Sequence, residues 1–143
     1  MNPEQYKPFF DAFEPAAKNK LTELAGILSR QYGRVVTDVE LIDHDVDQGF
    51  GFMVNNNRQL FVELMLTDGD EYGFEGVGLI LTCSVMGTGQ VWAPDNYTPL
   101  VGTTDHQVIC DRLAAMDVKQ VACSIQDEWI SVEVAQEAQA DAG

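Results

Sequence analysis

FGFMVNNNRQLFVELML, residues 50–66, decides the architecture. Phe50, Phe52 and Val54 recur at every second position, and so do Leu60, Val62, Leu64 and Leu66. A period of two places each set on one face of an extended strand. Asn55-Asn56-Asn57 lies between the two runs, and asparagine tolerates the positive φ that a tight reversal needs. Two alternating runs so closely joined read as an antiparallel hairpin.

Moving back from this hairpin, the acidic stretch 43–47 follows a half-exposed strand carrying Val35, Val39 and Leu41. Before it, Leu21, Leu24, Ala25, Ile27 and Leu28 form a helical stripe closed by Gly33, a residue suited to a left-handed stop. A separate helix is expected at the start. Asn2-Pro3-Glu4-Gln5 has a capping residue, a proline at the first helical position and a reciprocal glutamine. Tyr6, Phe9, Phe10 and Phe13 follow, and Pro15 is expected to end the segment. These aromatics cover either the domain's own sheet or a second copy of the chain.

Moving forward, Asp68-Gly69-Asp70 reads as a turn and Phe74 to Val85 as a long buried strand. Gly87-Thr88-Gly89 turns the chain into a short return strand at Val91-Trp92, and Pro94 to Gly102 is a loop. Thr104-Asp105-His106-Gln107 opens a helix with Ile109, Leu113 and Met116 on its apolar face. Val121, Cys123 and Ile125, an Asp127-Glu128 turn, then Ile130, Val132 and Val134 read as a terminal hairpin. The fold class is therefore α+β: N-terminal helices packed on one face of an antiparallel β-sheet, with a further helix before a C-terminal hairpin. Residues 1–134 are expected to make a single domain, and 135–143 a frayed acidic tail.

Among 143 residues, 23 acids face eight bases, giving a formal net charge of −15. Five of the bases (Lys7, Lys18, Lys20, Arg30 and Arg34) fall in residues 1–34 beside four acids, so that stretch carries +1 and the rest of the chain, with three bases and nineteen acids, carries −16. Such a field repels nucleic acid and anionic membrane surfaces and attracts basic proteins and cations. No apolar run approaches the roughly 20 residues needed to cross a bilayer. No secretory signal is visible and the three cysteines form no CxxC pair, so the expected location is cytoplasmic, with reduced thiols.

Three patterns invite chemistry. Asp43, Asp45 and Asp47 at alternate positions resemble the opening of a calcium loop, but Gln48 and Val54 stand where glycine and glutamate would be required. A solvated acidic loop is the expectation, and no metal site is assigned. His106 and Cys110 are four apart on one helix face, the spacing of a thiolate and its base, with no oxyanion donors to complete the set. Gly73, Gly76 and Gly78 suggest a phosphate cradle, yet they lead into a strand with Glu71 and Glu75 alongside, which fits a bulged or bent strand better. No catalytic residue and no cofactor is expected.

The functional expectation is a non-catalytic acidic protein that binds a basic protein partner: an inhibitor, an immunity or chaperone-like module, or a DNA mimic. The residues expected to carry it form two acidic rows: Asp38, Glu40, Asp43, Asp45 and Asp47, then Asp68, Asp70, Glu71 and Glu75. Trp92 is expected as an exposed aromatic anchor. The alternatives are a small-molecule-binding domain or enzyme with a pocket between helices and a curved sheet, and an oligomerising structural module whose acidity only maintains solubility. A homodimer is expected.

Overall fold

In the computed structural model, which describes residues 1–43, 47–55 and 58–130, helices pack against a seven-stranded antiparallel sheet. The first element is one continuous helix, α1 (Pro3–Tyr32), instead of the two expected. Its ends obey the sequence. Asn2 accepts from the Gln5 N–H at 2.9 Å, Gln5 answers the Asn2 N–H at 3.1 Å, and Gly33 closes the helix at φ 67°. Pro15 does not end it. An interior proline costs a helix about 3 kcal/mol, but Phe9, Phe13, Ala17, Leu21, Leu24 and Leu28 make one unbroken buried stripe across it. The burial of that stripe outweighs the lost hydrogen bond. Because Pro15 itself is exposed, Pro15→Ala is expected to raise stability by about 2 kcal/mol. A urea midpoint that fails to rise would count against this account of α1.

The strands are β1 (Val35–Val36), β2 (Glu40–Asp43), β3 (Gln48–Asn55), β4 (Leu60–Asp68), β5 (Val77–Val85), β6 (Gln90–Trp92) and β7 (Leu100–Thr103). The hairpin at 50–66 forms as β3 and β4, with Phe52 opposite Val62. Its Asn56 and Asn57 lie outside the described residues. The seven strands occupy five ranks. β1 and β2 both pair with β3 along one edge, and β6 and β7 both pair with β5 along the other. Between β1 and β2, Thr37 keeps the edge attached: its N–H donates to the Met53 carbonyl at 2.9 Å and its Oγ1 accepts from the Met53 N–H at 2.8 Å.

Between β4 and β5 the expected turn is a one-turn helix, α2 (Gly69–Tyr72), capped by Asp68. β5 starts at Val77 instead of Phe74, because Gly76 adopts φ 80° and breaks the extended run. A register shift between Val77 and Leu79 marks the bulge expected of these glycines. The segment expected as a loop to Gly102 gains β7 at its end.

α3 (His106–Ala114) is present, capped by Asp105, whose carboxylate accepts from the Gln107 N–H at 3.0 Å. The terminal hairpin is absent where it can be checked. Residues Val118–Ser124 form α4, and Ile125–Ile130 continue it as a π-helical turn. Asp117 caps α4, and Val118, Val121, Ala122, Ile125 and Trp129 bury a helical stripe, whereas Cys123 points to solvent. Val132, Val134 and the expected tail 135–143 lie outside the described residues.

The helices α1, α3 and α4 share one side of the sheet. Phe13 meets the Phe50 ring at 5.7 Å, and Ile109, Leu113, Val121 and Ile125 join the same buried cluster as Leu64, Leu66 and Leu81. The four aromatics of the first helical turns therefore cover their own sheet: Phe9 and Phe13 are buried, and Tyr6 and Phe10 pack against the same core.

Candidate functional site

Strand pairing gathers most of the acidic rows at one end of the sheet. Asp43 ends β2 opposite Gln48, Asp47 enters β3, and Asp68, Asp70 and Glu71 sit where β4 passes into α2. Asp43, Asp70, Glu71 and Glu75 are exposed. Asp47 and Asp68 are not free surface charges. Asp47 is buried, accepting from the Asp68 N–H at 3.0 Å and the Tyr72 hydroxyl at 2.7 Å. That bond to Asp47 holds the Tyr72 phenol above its ordinary range, because ionisation would remove the donor. Asp68 caps α2 and lies 3.2 Å from the N-terminal amine, which also contacts Asp70. Burial raises the Tyr6 phenol nearby, and its hydroxyl donates to the Leu66 carbonyl at 3.2 Å. Asp47 and Asp68 are thus engaged within this end of the sheet. Asp45 lies outside the described residues.

Asp38 and Glu40 belong to a different place, the β1–β2 edge, where both are exposed. Trp92 closes β6. It is 39 % exposed, but one face stacks on buried Trp129 with ring centroids 3.5 Å apart and planes 18° apart. It covers the core under β6. Tyr97, from the loop after it, donates to the Leu79 carbonyl at 2.9 Å, and burial raises its phenol.

The other chemical patterns resolve into packing. The Cys110 thiol faces the Ala12 carbonyl at 3.7 Å, while the His106 ring sits edge-on to Phe9. Burial pushes the Cys83 thiol up, which suppresses the reactive thiolate. Gly76 is crowded by the Thr103 backbone, so no anion-sized space opens there. Among the described residues, no group of three His, Cys, Asp or Glu is placed to hold a metal ion, and no helix is long and apolar enough to cross a membrane.

The feature missed from sequence is the second face of the sheet. Positions between the core-facing residues form three cross-strand rows. Met53, Phe61, Ser84 and Val91 make one; Glu40, Gly51, Glu63 and Thr82 the next; Ile42, Gly49, Met65 and Ile80 the third. Two largely apolar rows therefore flank one that bears carboxylates. Two glycines shape this face. A β-carbon on Gly51 would lie 2.6 Å from the Phe61 ring, and one on Gly49 would lie 2.7 Å from Glu63 Oε2. Their absence lets Phe61 and Glu63 lie across β3. Phe61 and Met53 then wall a shallow groove of about 320 Å³ with Ile42 and Met86, and Asp38 and Glu40 form its rim. No described helix covers it. A signal was present: apolar residues at the outward positions of adjacent strands mark a sheet with two apolar faces.

Comparison of the chain with protein-family models, curated proteins and solved structures returned no match.

Proposed function

We propose that this chain is a non-catalytic acidic protein that binds a basic protein partner, as an inhibitor, an immunity or chaperone-like module, or a mimic of DNA. The observation that carries the reading is charge segregation by layer. Residues 35–103, which supply every strand, contain eleven acids and one base, Arg58, whereas residues 1–34 and 104–130, which supply α1, α3 and α4, contain nine acids and seven bases. A cationic protein is drawn to the sheet side and oriented by it. The non-catalytic part is supported by the fate of the reactive groups: the Cys110 thiol on Ala12, His106 against Phe9, and Asp47 bonded to two donors. A cytoplasmic setting belongs to the same proposal, since three free thiols suit a reducing compartment.

The test is retention from lysate on the immobilised chain, with the bound proteins identified by mass. The expected result is a dominant protein of basic isoelectric point, eluting as salt rises from about 0.1 to 0.5 M. The combined variant Asp38→Asn, Glu40→Gln, Glu71→Gln and Glu75→Gln should weaken retention at low salt. Retention of neutral or acidic proteins, or elution indifferent to salt, contradicts the proposal.

A further inference from the structure

We propose that the helix-free face of the sheet docks an amphipathic cationic helix of a partner protein, its apolar stripe seated on Phe61, Met53, Met65 and Met86 and its lysines or arginines meeting Asp38 and Glu40. This rests on the basic-partner reading and names the surface and the kind of segment it takes.

The shape of the occupant follows from the backbone. β4, at the centre, is hydrogen-bonded along its length to β3 and β5, and both of these are paired on their outer sides too. A segment lying on the face therefore gains no ladder bonds from the sheet, and an extended one would leave its own polar backbone unpaired. A helix bonds its backbone internally and packs on a sheet face through side chains, as α1 does on the opposite side. The anchors suit a varied apolar stripe, because methionine adapts its unbranched side chain to the group it meets.

Charge selects among occupants. Asp38 and Glu40 are exposed at the groove rim and make no ion pair among the described residues. A second copy would set the same acidic rim against itself. Residues 131–143 carry Glu133, Glu137 and Asp141 and no base, so the rim disfavours them as well.

The methionines supply the test. Met53, Met65 and Met86 lie on this face, whereas Met116 packs on the helical side and the Met1 amine contacts Asp68 and Asp70. In the full chain labelled at methionine methyls, titration with an amphipathic leucine–lysine peptide should shift the signals of Met53, Met65 and Met86 and leave Met1 and Met116 in place. A scrambled peptide of the same composition and a leucine–glutamate counterpart should bind at least about tenfold more weakly. Phe61→Ala should weaken the amphipathic peptide about tenfold. Asp38→Asn with Glu40→Gln should weaken it severalfold and flatten its salt dependence, while Glu71→Gln with Glu75→Gln should change it little.

Shifts confined to Met1 or Met116, or an affinity indifferent to Phe61 but reduced by the Glu71 and Glu75 pair, would overturn this surface and leave the basic-partner reading standing. Absence of binding overturns the cationic-helix assignment, and the lysate experiment then decides the broader reading independently. Concentration-dependent shifts of the three methyls without peptide, with a dimer in sedimentation, make a second copy the occupant. Cross-relaxation from Val132 or Val134 to Met53 or Phe61 makes the chain's own end the occupant. Either result refutes the proposal.

Discussion

Gly76→Ala is expected to lower the stability of the fold by about 3–5 kcal/mol. Gly76 holds φ 80°, and its added β-carbon would lie 1.9 Å from the carbonyl oxygen and 2.5 Å from the carbonyl carbon of Thr103. Both are backbone atoms of β7, so no rotamer change can clear the space. The carbonyl of Gly76 also accepts from the Gly69 N–H at 2.9 Å, which ties the start of β5 to α2. Moving Gly76 outward therefore breaks that bond, and moving Thr103 strips β7 from β5. Gly89→Ala is the matched comparison: its φ is 74°, but nothing lies within 4 Å of the new β-carbon. It should cost only the left-handed strain, about 1–2 kcal/mol. Equal urea midpoints for the two variants would show that the contact with Thr103 is not limiting.

The second large effect is Phe13→Ala, expected to cost about 3–5 kcal/mol. Phe13 is fully buried between the helix and β3, with ring centroids 6.2 Å from Phe10 and 5.7 Å from Phe50. Alanine leaves a cavity walled by a rigid sheet and a long helix, neither of which can collapse into it. Phe13→Leu should recover more than half of the loss, since it refills most of the volume. Phe61→Ala on the opposite face is the contrast. Phe61 is half-buried and faces a groove, so its removal should cost under about 2 kcal/mol while weakening the docked peptide. Equilibrium unfolding in denaturant ranks the three. A Phe61 variant as unstable as the Phe13 one would mean that the groove is part of the core.

The hairpin at 50–66 was legible because its core-facing residues alternate without interruption and share one register. The start and stop of α1 were legible because capping is local chemistry carried by Asn2, Gln5 and Gly33. Its continuity was not, since Pro15 speaks only of local cost and the stripe that outweighs it spans five turns. At the other end, Val121, Cys123 and Ile125 satisfy a period of two, while Val121 and Ile125 satisfy a period of 3.6 with Val118 and Ala122. The choice fell to tertiary burial, which sends Ala122 inward and Cys123 outward. For the candidate site, the positions of the acids could be read, but not which were already engaged. The Asp47–Tyr72 bond spans 25 residues, and the Trp92–Trp129 stack joins two elements with no sequence relation. The groove was hidden because Gly51 and Phe61 become one surface only when β3 and β4 are in register.

The five-rank sheet ends on each side in split strands: two and four residues along one flank, three and four along the other. A foreign strand arriving at either flank meets no more than four residues in step before the template breaks. Asp38 and Glu40 add like-charge repulsion at the break on one side. Flanks of this kind resist runaway strand addition, the route by which uncapped sheets build cross-β fibres. The chain therefore keeps an apolar face open to a helix while denying its margins to other strands.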